Sequence, residues 1–100
     1  MKRYRLSPLA ELDLEEIWLY VAQDNGVGAA DRLIEEITKR FVLLATHPDA
    51  GRLRDDIAAD VRSFPVKNHI IYYRASEHGI LVSRVLHGKR DQAAILGPKA

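Results

Sequence analysis

Apolar positions recur at two different spacings along the chain. From Ala10 to Leu44 they fall three and four residues apart, and from Val61 to His87 they alternate or run together. The first spacing predicts helices and the second strands. "KRYRLS" alternates, with Tyr4 and Leu6 on one side and Arg3 and Arg5 on the other, which predicts a short first strand. Ser7-Pro8 then reads as an N-cap followed by proline at the first helical position, where its missing N–H costs nothing. Ala10, Leu14, Ile17, Trp18 and Val21 carry the first helix, and its early acids Glu11, Asp13, Glu15 and Glu16 suit a helix N-terminus. "DNGVG" stops it. Ala30, Leu33, Ile34, Ile37, Phe41 and Leu44 form the stripe of a second helix from about Ala29 to Thr46, so the pair makes a helical hairpin.

"DAGRLRDDIAAD" reads as a polar loop anchored by Leu53 and Ile57. "VRSFPV", "HIIYYRA" and "GILVSRVLH" follow as strands. Lys67-Asn68 is the first hairpin turn, with asparagine as the residue suited to positive φ, and the segment from Ser76 to Gly79 is the second. Pro65 cannot donate to a ladder, so its strand belongs at an edge. The first strand is then left to pair at the other edge, beside the last one. The predicted fold is α+β in the order β-α-α-β-β-β, with the helical hairpin on one face of a mostly antiparallel four-stranded sheet.

Pairing Ala75 with Gly79 puts Ile71, Tyr73, Leu81 and Val85 on one face with His69 and His87. Ile70, Tyr72, Ile80, Val82 and Leu86 then share the other with Arg74 and Arg84. The hairpin covers only one face, yet both are apolar. The second face is either a docking surface or lies under the polar loop and the C-terminal tail.

The length of 100 residues predicts one domain spanning 1–100. No run approaches the ~18 apolar residues of a membrane span, and the N-terminus turns acidic where an export signal carries its apolar stretch. A cytoplasmic protein without a membrane role is expected. With no cysteine in the chain, disulfides, thiol catalysis and Cys-ligated zinc are excluded. The four histidines have no metal-ligand spacing, so neither metal nor cofactor is expected. Net charge is +1, but residues 1–50 carry 6 basic and 9 acidic side chains, whereas residues 51–100 carry 9 and 5. The basic half contains "RVLHGKRD".

Arg62, Arg74, Arg84, Lys89 and Arg90 are the basic set, three of them in or beside otherwise apolar strands. Guanidinium groups there suit phosphate or carboxylate. His69 and His87 come out as diagonal neighbours, open to acid–base work on RNA or to a plain strand-end role. Leu12, Leu19 and Tyr20 give the first helix more apolar surface than one stripe needs, while Trp18 reads as part of the packed hairpin interface. Nucleophile motifs, phosphate loops and paired catalytic carboxylates are absent, and "GVGAA" lacks the lysine of a P-loop.

In order, "SPLAELDLEEIWLYV", "AADRLIEEITKRFVLLATHPDAGR", "VRSFPV" and "RVLHGKRD" resemble the ParE-type toxins of the RelE/ParE superfamily across nearly the whole chain. The most specific elements are Arg-Ser-Phe-Pro-Val and Leu-His-Gly-x-Arg-Asp. The resemblance implies a type II toxin that inhibits DNA gyrase, is neutralised by a ParD-like antitoxin, and makes no sequence-specific nucleic-acid contact. The RelE-like branch, which cleaves mRNA on the ribosome, resembles this chain at Arg90. That branch also uses an arginine where His69 stands and a tyrosine after the turn that "DQAAILGPKA" lacks, so a non-enzymatic toxin is favoured over a nuclease or an inert antitoxin-binding module. The expected site is a basic patch of Arg62, Arg84, His87, Lys89 and Arg90 for target or antitoxin, with an apolar docking surface of Leu12, Leu19, Tyr72 and Val82.

Overall fold

The structure is a computed structural model in which residues 3–89 are described. β1 (Arg3–Leu6) leads into α1 (Pro8–Asn25) and α2 (Val27–Thr46). A 3₁₀ turn (Pro48–Ala50) then precedes β2 (Arg52–Leu53), β3 (Arg62–Val66), β4 (His69–Ser76) and β5 (Gly79–His87). The strands stand in the order β1-β5-β4-β3-β2, with β1 parallel to β5 and the other pairs antiparallel. The α+β architecture is as expected, but there are five strands rather than four. The extra one is β2, a two-residue piece of the predicted loop that pairs with Arg62 and Ser63. It stops short of Pro65, which stays on an edge where its missing N–H costs no ladder bond.

Ser7 begins α1 as its composition predicts: its Oγ accepts from the Ala10 amide at 3.0 Å. The same hydroxyl donates to the Ser83 carbonyl at 2.7 Å, and the Ser7 amide donates to the Val82 carbonyl. One residue therefore caps the helix and ties its start to β5. Gly26 alone joins the helices, at φ 94°, a conformation that side chains disfavour. α2 thus begins two residues earlier than its apolar stripe indicates. Trp18 Nε1 donates to Asp31 Oδ1 at 2.8 Å across the hairpin, in keeping with its expected place in the helix–helix interface.

The hairpin buries Ala10, Ile37, Phe41 and Leu44 against Ile71, Tyr73, Ile80, Val82 and Val85 of the sheet. Tyr4 joins this core, its ring 5.1 Å from that of Phe41. β1 lies so close to β5 that a Cβ on Gly79 would run into the Arg3 carbonyl, so only glycine fits there.

Two details of register correct the sequence expectation. Ser76, not Ala75, pairs with Gly79, and a bulge at Ser83 shifts the pairing between Tyr72–Arg84 and Tyr73–Val82. A one-residue shift exchanges faces. Ile80 and Val82 therefore point into the helix-side core, with Val82 three residues from Val85 on the same face, and Leu81 turns outward. The outer face is also covered in part. Ile57 and Val61 of the 54–61 loop pack on Tyr72 and Leu86 to form a second small core. Ile57 is an anchor as expected; Leu53 is exposed instead, because β2 presents it to solvent. At the β3–β4 turn the positive φ, 55°, falls on Lys67 and not on Asn68.

Candidate functional site

The residues expected to form one basic patch do different jobs. Asp13 lies on α1 between Ala10 and Ile17, on the buried side of the helix. Its carboxylate accepts from Arg84 Nε at 2.8 Å, from Arg84 Nη2 at 2.9 Å and from the Val85 amide at 2.9 Å. Arg84 is thereby removed from the surface and clamps α1 to β5. The hydrogen bonds to Asp13 hold the guanidinium pKa above its ordinary value. Arg62 is engaged as well: Nη1 donates to the Gly51 carbonyl at 2.8 Å, and Nη2 lies 3.7 Å from the Asp49 carboxylate. It fastens the 3₁₀ turn to β3. The Tyr73 hydroxyl holds the same segment from below, accepting from the Gly51 amide and donating to the Pro48 carbonyl, each at 2.8 Å.

His87 and Lys89 do come together. With the bulge in place, His69 and His87 are direct cross-strand partners rather than diagonal ones. Their rings meet edge to face with centroids 5.4 Å apart. The pair stands beside a cleft of about 420 Å³ between α1 and the end of the β4–β5 hairpin. Ile17, Tyr20 and Val21 line its helix side; Val85 and Leu86 line its sheet side, and Glu16 and Lys89 lie at its margins. Burial, and secondarily the charge of His87, pushes the His69 imidazole below its usual pKa. His69 Nδ1 is buried with no hydrogen-bond partner among the described residues, while His87 Nδ1 accepts from the Lys89 amide at 3.1 Å. Arg90 lies outside the described residues.

The expected apolar surface also divides. Leu12 and Leu19 are 53% and 54% exposed and run along the outside of α1 with Leu9 and Tyr20. Tyr72 and Val82 are both fully buried and present no docking surface. Val82 sits under the helices because of the bulge. Tyr72 sits under the 54–61 loop, with the Arg54 guanidinium 6.0 Å above its ring and Arg54 itself fixed by Asp56 at 2.9 Å.

Sequence reasoning took Asp13 only as one of the early polar acids suited to the helix N-terminus and so missed the clamp. The signal was there: Asp13 stands three residues after Ala10 and four before Ile17, at core spacing. Among the described residues no cluster of His, Asp and Glu could hold a metal, and no helix is long and apolar enough to cross a membrane.

Comparison with known proteins bears on the family and the fold. A family model described as "ParE toxin of type II toxin-antitoxin system, parDE" matches residues 4–92. Toxin ParE1 of Caulobacter vibrioides is 34% identical over 97 residues, covering 97% of this chain and 100% of that protein. Toxin ParE1 of Mycobacterium tuberculosis is 36% identical over 90 residues, covering 89% and 92%. Toxin RelE3 of Caulobacter vibrioides is 31% identical over 90 residues, covering 87% and 95%. A solved chain from the chromosomal ParDE TA system of P. aeruginosa shares the fold, with a TM-score of 0.74 at 18% identity over 87% of this chain and 96% of that one.

Proposed function

The chain belongs to the ParE toxin family of type II toxin–antitoxin systems, and on that premise we propose that it inhibits DNA gyrase in the cytoplasm without catalysing a reaction. A cognate ParD-like antitoxin neutralises it by covering the exposed stripe of Leu12 and Leu19 and the basic stretch of sequence that begins with His87 and Lys89 at the end of β5 and runs on to Arg90.

The observation that carries the non-enzymatic reading is the contact between the two imidazoles. A general acid and a general base acting on one phosphate must each reach it by a hydrogen bond from opposite sides. At 5.4 Å between centroids, edge to face, His69 and His87 touch each other and leave no room for a phosphoryl group between them. Arg84, the arginine of β5, is committed to Asp13 and supplies no charge to a transition state.

The deciding experiment is a gyrase assay with purified toxin in excess over enzyme. Loss of supercoiling, or accumulation of cleavage complexes, is expected; unchanged activity on both counts refutes the target. The lowered pKa of His69, in the cleft that Lys89 also lines, supports a second reading, that of a ribosome-dependent mRNA endonuclease. Codon-specific cuts on translating ribosomes that disappear in His87→Ala would establish it. A chain that binds antitoxin but arrests no growth on induction would instead be an inert binding module.

A further inference from the structure

The 54–61 loop covers only one half of the outer sheet face. On the other half, the pleat sets the side chains in rows. Tyr4 and Leu6 pack into the helix-side core, so Arg3 and Arg5 of the same strand point outward. Arg5 stands beside Leu81 in the parallel pair, and Leu81 stands opposite Arg74 in the antiparallel pair. Arg5, Leu81 and Arg74 thus form a row across three strands, each about 5 Å from the next, with Arg3 about 7 Å along β1.

All three arginines are exposed, and Leu81 among them is 36% exposed. None of the three has an ion pair or side-chain hydrogen bond among the described residues. The acid nearest them by register is Glu77 in the β4–β5 turn, which is highly exposed and lies 4.0 Å from His78. The contrast with Arg54, Arg62 and Arg84 is clear, since each of those has its own carboxylate.

Three unpaired guanidinium groups call for an anion, and the leucine among them decides which kind. A phosphate backbone offers charge but nothing for an aliphatic side chain. A peptide whose apolar side chain is flanked by carboxylates satisfies both at once. We propose that Arg3, Arg5, Arg74 and Leu81 form a docking surface for the antitoxin, which lays an acidic segment across this half of the sheet with one apolar side chain on Leu81. The inference rests on the antitoxin reading above and adds a contact on the face opposite the helices. The antitoxin then grips both layers of the toxin.

The test measures affinity of the full chain for the antitoxin encoded beside it, at low and high salt, for wild type, the double variant R5E/R74E and Leu81→Ser. The sites are exposed, and thermal melting checks that each variant folds as wild type does. R5E/R74E is expected to weaken binding roughly tenfold or more and to flatten its salt dependence. Leu81→Ser is expected to weaken it severalfold with the salt dependence unchanged. Wild-type binding that survives these substitutions unaltered overturns this inference alone. A wild-type chain that binds no antitoxin overturns the antitoxin reading and this inference with it. If R5E/R74E instead abolishes binding to a short mixed-sequence DNA duplex while antitoxin affinity holds, the surface belongs to nucleic acid and the inference is wrong.

Discussion

Asp13→Ala is the most informative single change in this fold. The Asp13 side chain is 8% exposed and that of Arg84 16%, so the pair is largely desolvated. Removing the carboxylate leaves a guanidinium without its counter-charge and a buried Val85 amide without an acceptor. Breaking a buried pair from one side costs about 3–5 kcal/mol. Because Arg84 retains some access to solvent, the lower end, about 3 kcal/mol, is the expected loss. With a urea slope of about 1.5 kcal/mol per molar, the midpoint should drop by about 2 M. The slope itself should not change, since the same surface is exposed on unfolding. The double variant Asp13→Leu/Arg84→Met should recover much of that loss, because an apolar pair of similar volume avoids the desolvation penalty. Only the Val85 amide then lacks a partner, at about 1–2 kcal/mol. Equilibrium urea unfolding of the three proteins decides the matter. If Asp13→Ala loses less than about 1 kcal/mol, or if the double variant is less stable than the single one, the clamp does not hold α1 to β5 as described.

Other consequences follow from the same geometry. Leu12→Ser and Leu19→Ser change exposed positions, so stability should stay within about 0.5 kcal/mol by urea melts while antitoxin affinity falls in a binding titration. His69 has a folded pKa below the unfolded value near 6.5, so the unfolded chain takes up its proton first. Its contribution to stability is complete above the unfolded pKa and is lost as pH falls towards the folded one; midpoints measured from pH 7.5 downward should show the loss, and His69→Gln should flatten it. Tyr73→Phe strands the Gly51 amide and frees the Pro48 carbonyl, at a cost of about 1–2 kcal/mol. Amide exchange should then quicken at Gly51 well before it does in β4.

Much of the molecule can be read in its residues. The three- and four-residue spacing gave both helices, Ser7-Pro8 gave the start of α1, and alternation gave β1 with its arginines outward. Local chemistry suffices for these features: each depends on neighbours within a turn or two of chain. The ordered motifs likewise point to the family by themselves, since their identity and order along the chain need no spatial information. The exposure of Leu12 and Leu19 was legible as well, because an excess of apolar residues on a helix needs no partner to be noticed. The turn conformation at Lys67 was not, since asparagine is the better local choice for positive φ and the hairpin overrode it.

What only the tertiary structure decided comes down to one extra residue and one distant pair. The bulge at Ser83 exchanged the faces of Ile80, Leu81 and Val82, burying a residue expected at the surface and exposing one expected to lie with the core residues of β4. Strand periodicity cannot reveal it, because period 2 is preserved on either side of a bulge and only the pairing shows the break. Arg84 and Asp13 stand 71 residues apart in the chain, and nothing local says that one consumes the other. Sequence therefore settled the main elements, all but the short β2, and pointed to the family they compose. Tertiary pairing settled which of the described arginines carry their own carboxylate, because only the fold brings a distant counter-charge to a side chain.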